Sequence, residues 1–160
     1  MKRIYIIDGN SLMFRGYYAT AYTGNLMKNK NGLYTNAIYA FCSMMMKLLE
    51  EDMSHIFVAF DAGSQTFRHQ QLETYKGTRK EIPEELLMQI PYIKQFLDIL
   101  NIKHMASLEY EADDFIATVS RNAEKDGVED IRVISGDKDL LQLVSPKINV
   151  YLTKRGLTEL

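Results

Sequence analysis

The sequence has little of what several common protein classes require. It contains one cysteine, Cys42, and no tryptophan. A single cysteine cannot form an internal disulfide, which favours a reducing compartment, and we predict a cytoplasmic protein. Neither G-x-G-x-x-G nor a Walker A sequence occurs, so nothing indicates a nucleotide cofactor. No apolar run approaches the roughly 18 residues of a membrane span, and the start, "MKRIYIIDGN", is too short and polar for a signal peptide. We therefore expect no membrane partner.

What is present is an ordinary globular composition. The 160 residues are 46% hydrophobic and 25% charged, which fits one domain. The net charge of −2 means that any nucleic-acid partner must bind a local basic patch. The segment 63–83, "GSQTFRHQQLETYKGTRKEIP", provides such a patch, because its four basic residues outnumber its two acidic ones.

Short β-rich runs alternate with helical patterns along the chain. Strands are predicted at 3–8, 55–61, 102–105, 131–135 and 148–152. Helices are predicted over 35–51, with Thr35 or Asn36 as the cap, over 83–100, divided at Pro91, and over 111–127, ending at Gly127. The segment 22–33 is predicted to be a mobile loop. Long crossovers between strands imply a three-layer α/β fold, with a mostly parallel central sheet and helices on both faces.

Acidic residues follow three of the predicted strands. Asp8 ends the first strand, Asp61 ends the second, and Asp137 and Asp139 come just after the fourth. Ligands collect at the carboxyl ends of parallel strands, so we expect these side chains to share one rim. Taken singly, each is more simply a turn or cap residue.

A fourth acidic stretch, "EYEADDF" at 109–115, begins a predicted helix. Acids at a helix N-terminus are stabilised by its unpaired N–H groups, which alone would explain the stretch. However, carboxylates gathered on one rim repel each other, and a divalent cation relieves that repulsion. Because the set contains no Cys or His, it indicates Mg²⁺, or Mn²⁺ as a substitute, and hence phosphate chemistry.

Five stretches resemble, in order, the 5′-nuclease domain found at the start of bacterial DNA polymerase I and in flap endonucleases. They cover nearly the whole chain and are "IDGNSLMFRGYYA" (7–19), "GLYTNAIYAF" (32–41), "FVAFDAGSQTFRHQQLETYKGTR" (57–79), "YEADDFIAT" (110–118) and "SGDKDLLQLV" (135–144). The resemblance implies a PIN-like, resolvase-like core and a metal-dependent 5′-3′ exonuclease or flap endonuclease. Its substrate would be DNA with a 5′ end or flap, and it would also remove RNA primers, in replication and repair.

The resemblance also implies roles for individual residues. The first metal would be held by Asp8, Asp61, Glu111, Asp113 and Asp114, and the second by Asp137 and Asp139. Lys76 and Arg79 would stabilise charge at the scissile phosphate, and Tyr75 and Arg68 would contact DNA. Glu109 lies outside the matched motif and is interpreted as a surface acid. We interpret Tyr17, Tyr18 and Met44 to Met46 as buried residues, and Cys42 as a small buried hydrophobe.

The family continues past this length into further metal-binding aspartates, a helix-hairpin-helix-like element that grips duplex DNA, and the polymerase. We therefore expect residues 1–160 to be the N-terminal catalytic portion of a monomeric nuclease, with an incomplete second metal site and little activity alone. Two alternatives remain from the residues themselves. One is another carboxylate–Mg²⁺ phosphotransfer fold, such as a Toprim, phosphatase or receiver domain. The other is a catalytically silent nucleic-acid-binding module.

Overall fold

The fold is described from a computed structural model in which residues 2–21, 27–61, 82–107, 111–153 and 157–159 are placed. Within these ranges, helices separate the first four strands at the predicted places, and a sixth strand that was not predicted follows the fifth. The strands are β1 (Arg3–Asp8), β2 (His55–Asp61), β3 (Lys103–Ser107), β4 (Asp130–Ser135), β5 (Ile148–Thr153) and β6 (Leu157–Glu159). The helices are α1 (Gly9–Ala21), α2 (Asn36–Leu49), α3 (Glu84–Leu87), α4 (Ile90–Ile99) and α5 (Ala112–Lys125), with a 3₁₀ helix at Lys138–Leu143.

The six strands form one sheet in the order β3-β2-β1-β4-β5-β6. The first five in that order are parallel, and β6 pairs antiparallel with β5. The chain runs from β1 outward through β2 to β3 and then returns to the other side of β1 with β4. Strand order therefore reverses between β1 and β4, which is where open α/β sheets form their ligand crevice.

Each face of the sheet packs against its own helices. Tyr5 and Ile7 of β1 point into a core shared with α1, α2, α3 and α4. Ile6, between them, points into a second core shared with α5 and the 3₁₀ helix. This alternation is the period of two of a strand with both faces buried. The predicted three-layer α/β fold is confirmed.

Helix α1 was not expected from local propensity, because its sequence contains two glycines and begins with Gly9-Asn10. Tertiary packing explains the helix. Leu12, Met13 and Tyr17 are buried against α2 and the sheet. A Cβ on Gly16 would lie 2.8 Å from the Cβ of Ala40, so this glycine permits the close approach of α1 and α2.

The predicted helix ends are mostly confirmed. The division at Pro91 appears as two helices, α3 and α4, and Gly127 follows α5 with a φ of +88°. Thr35 is the N-cap residue of α2, which agrees with the prediction of Thr35 or Asn36, but its side chain makes no capping hydrogen bond. Instead, the buried Gln89 accepts hydrogen bonds through Oε1 from the backbone N–H groups of Ala37 and Ile38, at 2.8 and 3.0 Å. A residue distant in sequence thus satisfies the first donors of α2.

The residues of α1 and α2 that were predicted to be buried differ in their exposure. Met45 and Tyr17 are buried, Met44 and Cys42 are half-buried, whereas Met46 and Tyr18 are 52% and 47% exposed, so burial is wrong for the last two. In the predicted loop, residues 22–26 lie outside the described residues, and 27–34 form a turn that a Lys28–Tyr34 bridge closes. None of the described helices is long and apolar enough to cross a membrane.

Candidate active site

A cleft of about 790 Å³ opens at the carboxyl ends of β1, β2 and β4, at the point where the strand order reverses. Four aspartates reach it from three strand ends and one helix: Asp8, Asp61, Asp113 and Asp137. The predicted common rim is therefore formed by these four residues. The remaining lining comes mainly from one face of α1: Asn10, Ser11, Phe14, Arg15, Tyr18 and Ala19, with Gly136 and Thr153 from the β4–β5 side.

Asp8 is the most deeply placed of the four, with 5% of its surface exposed. Ser11 donates to it twice, from its backbone N–H to Oδ1 at 3.2 Å and from its hydroxyl to Oδ2 at 2.8 Å. Ser135 donates its hydroxyl to the same Oδ2 at 2.7 Å. Burial raises the pKa of Asp8, and the hydrogen bonds from Ser135 and Ser11 oppose that rise.

Asp61 links β2 to two neighbouring elements. Its carboxylate Oδ1 accepts the backbone N–H of Ala112 at 2.7 Å, at the start of α5. Its own backbone N–H donates to Oδ1 of Asn10 at 3.0 Å, at the start of α1. These two bonds hold the ends of both helices beside the carboxyl end of β2.

Asp113 and Asp137 interact directly across the cleft. Burial raises the pKa of Asp113 to about 8, together with a hydrogen bond to Asp137 and the charges of Asp137, Asp8 and Asp61. A protonated Asp113 can donate a hydrogen bond to the Asp137 carboxylate. The cleft therefore gathers four carboxyl groups in one place.

The other three predicted ligands lie differently. Glu111 precedes α5 and forms a capping box with Asp114, whose Oδ2 accepts the Glu111 backbone N–H at 3.2 Å. Asp139 is exposed, and its backbone N–H donates to Oδ1 of Asp137 at 2.9 Å. The structure thus gives Glu111 and Asp114 the helix-start role considered in the sequence, and their metal role stays a prediction.

Sequence reasoning did not single out Arg15, which is the only basic side chain among the described residues that line the cleft. Phe14 and Tyr18 lie on the same helix face, with ring centroids 6.2 Å apart. The signal was present, since Ser11, Arg15 and Tyr18 recur at helical spacing directly after Asp8. It was missed because residues 9–21 were not recognised as a helix.

The predicted DNA-contacting residues lie outside the described residues. They are Arg68, Tyr75, Lys76 and Arg79, all within 62–81. Glu109 also lies outside them. Their roles stay predictions.

The donors that line the cleft fit a divalent cation by their chemistry. The lining contains carboxylate, hydroxyl and amide oxygens, which hard cations such as Mg²⁺ and Mn²⁺ prefer, and the repulsion among the carboxylates is the kind that a cation relieves. Within the described ranges, however, no three Asp, Glu, His or Cys side chains are already grouped closely enough to hold an ion. Cation binding would therefore have to draw the side chains of Asp8, Asp61, Asp113 and Asp137 together.

Comparison with known proteins identifies related sequences over nearly the whole chain. The family described as 5′-3′ exonuclease, N-terminal resolvase-like domain, matches residues 3–159. DNA polymerase I of Bacillus subtilis (strain 168) is 45% identical over 159 residues, which are 99% of this chain and 18% of that protein. DNA polymerase I of Mycobacterium bovis is 41% identical over 156 residues, 97% of this chain and 17% of its own length. The chain thus spans less than a fifth of these relatives.

Solved structures share the fold at low sequence identity. The bacteriophage T5 flap endonuclease, in a pseudo-enzyme-product complex with DNA and metal ions, superposes with a TM-score of 0.65 at 20% identity. The T5 5′-exonuclease with bound zinc ions gives a TM-score of 0.61, also at 20% identity. Each comparison covers 94% of this chain and 55% of the other.

Proposed function

Because this chain belongs to the family of 5′-3′ exonuclease N-terminal resolvase-like domains, we propose that it hydrolyses phosphodiester bonds of DNA at 5′ ends or 5′ flaps with a divalent cation, as the nuclease part of a DNA polymerase I. Its place would be replication and repair, including removal of RNA primers. Family membership removes the Toprim, phosphatase and receiver alternatives. The preferred cation we propose is Mg²⁺, with Mn²⁺ as a substitute.

The observation that carries this proposal is the convergence of four aspartates in one cleft. Asp137, Asp8 and Asp61 all contribute to raising the pKa of Asp113 to about 8, so the four acids act on each other within one cleft. A titratable group whose pKa is strongly raised within a cleft is typical of a functional site.

The four cleft aspartates are the residues that would hold the cation. When bound, it would neutralise charge on the scissile phosphate and activate water for attack on phosphorus. Asp113 would give up its proton, since a bound cation offsets the repulsion from the neighbouring carboxylates. Glu111, Asp114 and Asp139 remain proposed additional ligands.

The cations of the protein would act on the DNA phosphates. Arg15 lies in the cleft beside the acids, where a guanidinium can pair with a phosphate that approaches them. For residues outside the described ranges, we propose that Lys76 and Arg79 stabilise charge at the scissile phosphate, and that Tyr75 and Arg68 contact DNA. These assignments rest on the family motif alone.

The proposed function is tested by cleavage of a labelled 5′-flap duplex with and without Mg²⁺. The chain should be assayed as its gene encodes it, in parallel with Asp113→Ala and a matched control, Asp126→Ala. Asp126 is an exposed aspartate at the opposite end of the same helix, α5. We expect Mg²⁺-dependent 5′ cleavage by the wild type and by Asp126→Ala, and a loss of at least about 100-fold in Asp113→Ala.

Each contrary outcome has a distinct meaning. Absence of 5′ cleavage by the wild type at any Mg²⁺ or Mn²⁺ concentration would contradict the nuclease proposal. If the wild type also retained flap DNA in a binding assay, the silent nucleic-acid-binding module would be supported instead. Equal cleavage by Asp113→Ala and Asp126→Ala would leave the activity in place and contradict the site assignment.

A further inference from the structure

Ser135, the last residue of β4, occupies an unusual position between two of the cleft aspartates. Its side chain has no exposed surface. Its hydroxyl donates to Oδ2 of Asp8 at 2.7 Å, and only 5% of the surface of Asp8 is exposed. A buried hydroxyl donates a strong, oriented hydrogen bond to a buried carboxylate, because little water competes for either group.

The same hydroxyl also receives a hydrogen bond. The backbone N–H of Asp137 donates to Oγ of Ser135 at 3.0 Å. A serine hydroxyl has one hydrogen to donate and lone pairs to accept, so both bonds are satisfied at once with the hydrogen directed at Asp8. Ser135 therefore links the carboxylate that ends β1 to the backbone of the aspartate that follows β4.

The bonds to Asp8 are distributed unequally between its two oxygens. Oδ2 accepts the hydroxyls of both Ser11 and Ser135, at 2.8 and 2.7 Å, whereas Oδ1 accepts one longer bond from the Ser11 backbone at 3.2 Å. Two donors hold Oδ2 toward the protein. Oδ1 is the less committed oxygen and has capacity for a further partner.

From these contacts we infer that Ser135 is a positioning residue for the cation site. Its hydroxyl fixes the Asp8 carboxylate so that Oδ1 remains available to a cation, and its oxygen holds the backbone of Asp137 in place. This inference rests on the proposed function, since it assigns the cation to the same cleft. Groups that orient ligands without touching the ion commonly change metal affinity or activity 10–100-fold when removed.

The packing around Ser135 leaves little freedom for an alternative arrangement. A Cβ on the next residue, Gly136, would lie 3.1 Å from Oγ1 of Thr153 and 3.6 Å from Oγ of Ser11. The chain therefore passes close to both neighbours as it turns from Ser135 to Asp137. This close approach keeps the end of β4 in place, so that a change at Ser135 acts on the orientation of its hydrogen-bond partners.

A second buried serine provides a matched control. Ser120 on α5 also has no exposed surface, and its Oγ has no hydrogen-bond partner among the described residues. It does not line the cleft. Ser120→Ala removes the same atom from an equally buried site, and it separates the loss of a buried hydroxyl from the loss of the contact with Asp8.

The test compares wild type, Ser135→Ala, Ser135→Thr and Ser120→Ala in the chain as its gene encodes it. Mn²⁺ affinity is measured without DNA by calorimetry or electron paramagnetic resonance, and flap cleavage is measured across a Mg²⁺ titration. We expect Ser135→Ala to weaken Mn²⁺ binding and to raise the half-saturating Mg²⁺ concentration about tenfold, with KM for DNA within about twofold. Ser135→Thr, which keeps the hydroxyl, should restore both values, and Ser120→Ala should match the wild type.

The outcomes separate this inference from the function on which it rests. A wild type that neither binds Mn²⁺ nor cleaves DNA would contradict the proposed function, and the inference with it. A wild type that does both, with Ser135→Ala unchanged in Mn²⁺ affinity and Mg²⁺ requirement, would overturn the inference alone. If Ser135→Ala does not fold, Ser135→Cys takes its place, because a thiol of similar size is only a weak hydrogen-bond donor.

Discussion

Oδ1 of Asp61 accepts the backbone N–H of Ala112 at 2.7 Å, so the carboxylate that ends β2 also satisfies a donor in the first turn of α5. The first N–H groups of a helix have no partner within it, and a carboxylate placed there is doubly favoured by hydrogen bonding and by the helix dipole. Since Asp113 lies in the same turn, this bond sets the distance between two of the cleft acids. Asp61 therefore has a structural role as well as its proposed role as a cation ligand.

Substitutions of Asp61 should separate these two roles. Asp61→Asn keeps an oxygen that can accept from Ala112, whereas Asp61→Ala removes it. We expect Asp61→Ala to reduce the free energy of unfolding by about 1 kcal/mol more than Asp61→Asn, as for loss of a helix cap. Both variants lose the charge, so both should lose Mg²⁺-dependent cleavage. Urea unfolding without metal checks the first expectation, and equal stabilities of the two variants would contradict it.

The raised pKa of Asp113 predicts that stability falls with rising pH in metal-free protein. The folded-state pKa is about 8 and the unfolded value is near 3.8, so between these values the folded chain holds a proton that the unfolded chain has lost. Stability is then greatest below about pH 4 for this group and is lost as pH rises toward 8. Because Asp113 is only partly buried, solvent screening reduces the effect, and we expect Tm in EDTA to decrease by several degrees across that window.

Asp113→Asn tests the assignment of this pH dependence. The amide resembles the protonated carboxyl and does not titrate, so the decrease in Tm between pH 4 and 8 should be shallower in Asp113→Asn. Asp126→Asn, at the exposed end of α5, should retain the wild-type slope. Identical slopes in all three proteins would show that Asp113 is not the group responsible. Addition of Mn²⁺ at pH 8 should raise the Tm of the wild type more than that of Asp113→Asn.

Arg15 in the cleft predicts a measurable change in the salt dependence of DNA binding. If its guanidinium contacts one phosphate, Arg15→Gln should lower the slope of log affinity against log salt by about one unit or slightly less. Binding is measured by fluorescence anisotropy on a 5′-flap duplex at several salt concentrations, without a divalent cation. Arg121→Gln is the control, because Arg121 is exposed on α5 and does not line the cleft. An unchanged slope in Arg15→Gln would contradict the phosphate contact.

The contact of Gly16 with Ala40 predicts a compensating pair of substitutions. Gly16→Ala places a methyl group 2.8 Å from the Cβ of Ala40 and should destabilise the protein by about 1–3 kcal/mol. Ala40→Gly removes the opposing methyl group, so the double variant should recover part of that loss. The coupling is measured by a double-mutant cycle of unfolding free energies. Additive effects would show that the cost of Gly16→Ala does not come from its contact with Ala40.

Sequence patterns predicted the sheet well because β1, β2, β4 and β5 are dense in β-branched and aromatic residues. The first two strands have the predicted bounds, and the next three differ by only one or two residues at either end. The patterns did not predict α1, whose helical state depends on packing against α2 rather than on its own residues. They also did not indicate that Gln89 accepts from the first turn of α2, because Gln89 is more than 50 residues distant from Ala37 in sequence. Contacts of this kind are set by the tertiary fold and leave no local signal.

The positions of the site residues were predictable where an aspartate ends or closely follows a strand. Asp8, Asp61 and Asp137 lie in the cleft as the strand pattern indicates. The roles of the acidic residues at the start of α5 were harder to predict, because successive residues of a helix point in different directions. Asp113 faces the cleft, while Glu111 and Asp114 form the capping box. Residue type alone does not distinguish a ligand from a cap when both roles favour carboxylates.

The position of β1 between β2 and β4 has a consequence for how the chain reaches its folded state. The hydroxyl of Ser135 and the carboxylate of Asp8 are 127 residues apart in sequence, so their contact forms only after β4 has joined the sheet. Parallel pairing over such separations must close a large loop, and the chain loses conformational entropy before the stabilising contacts form. This order of events slows folding. During synthesis, β1 and β2 emerge well before β4. The nascent chain therefore avoids the repulsion that Asp137 adds to the other cleft acids until this strand joins the sheet.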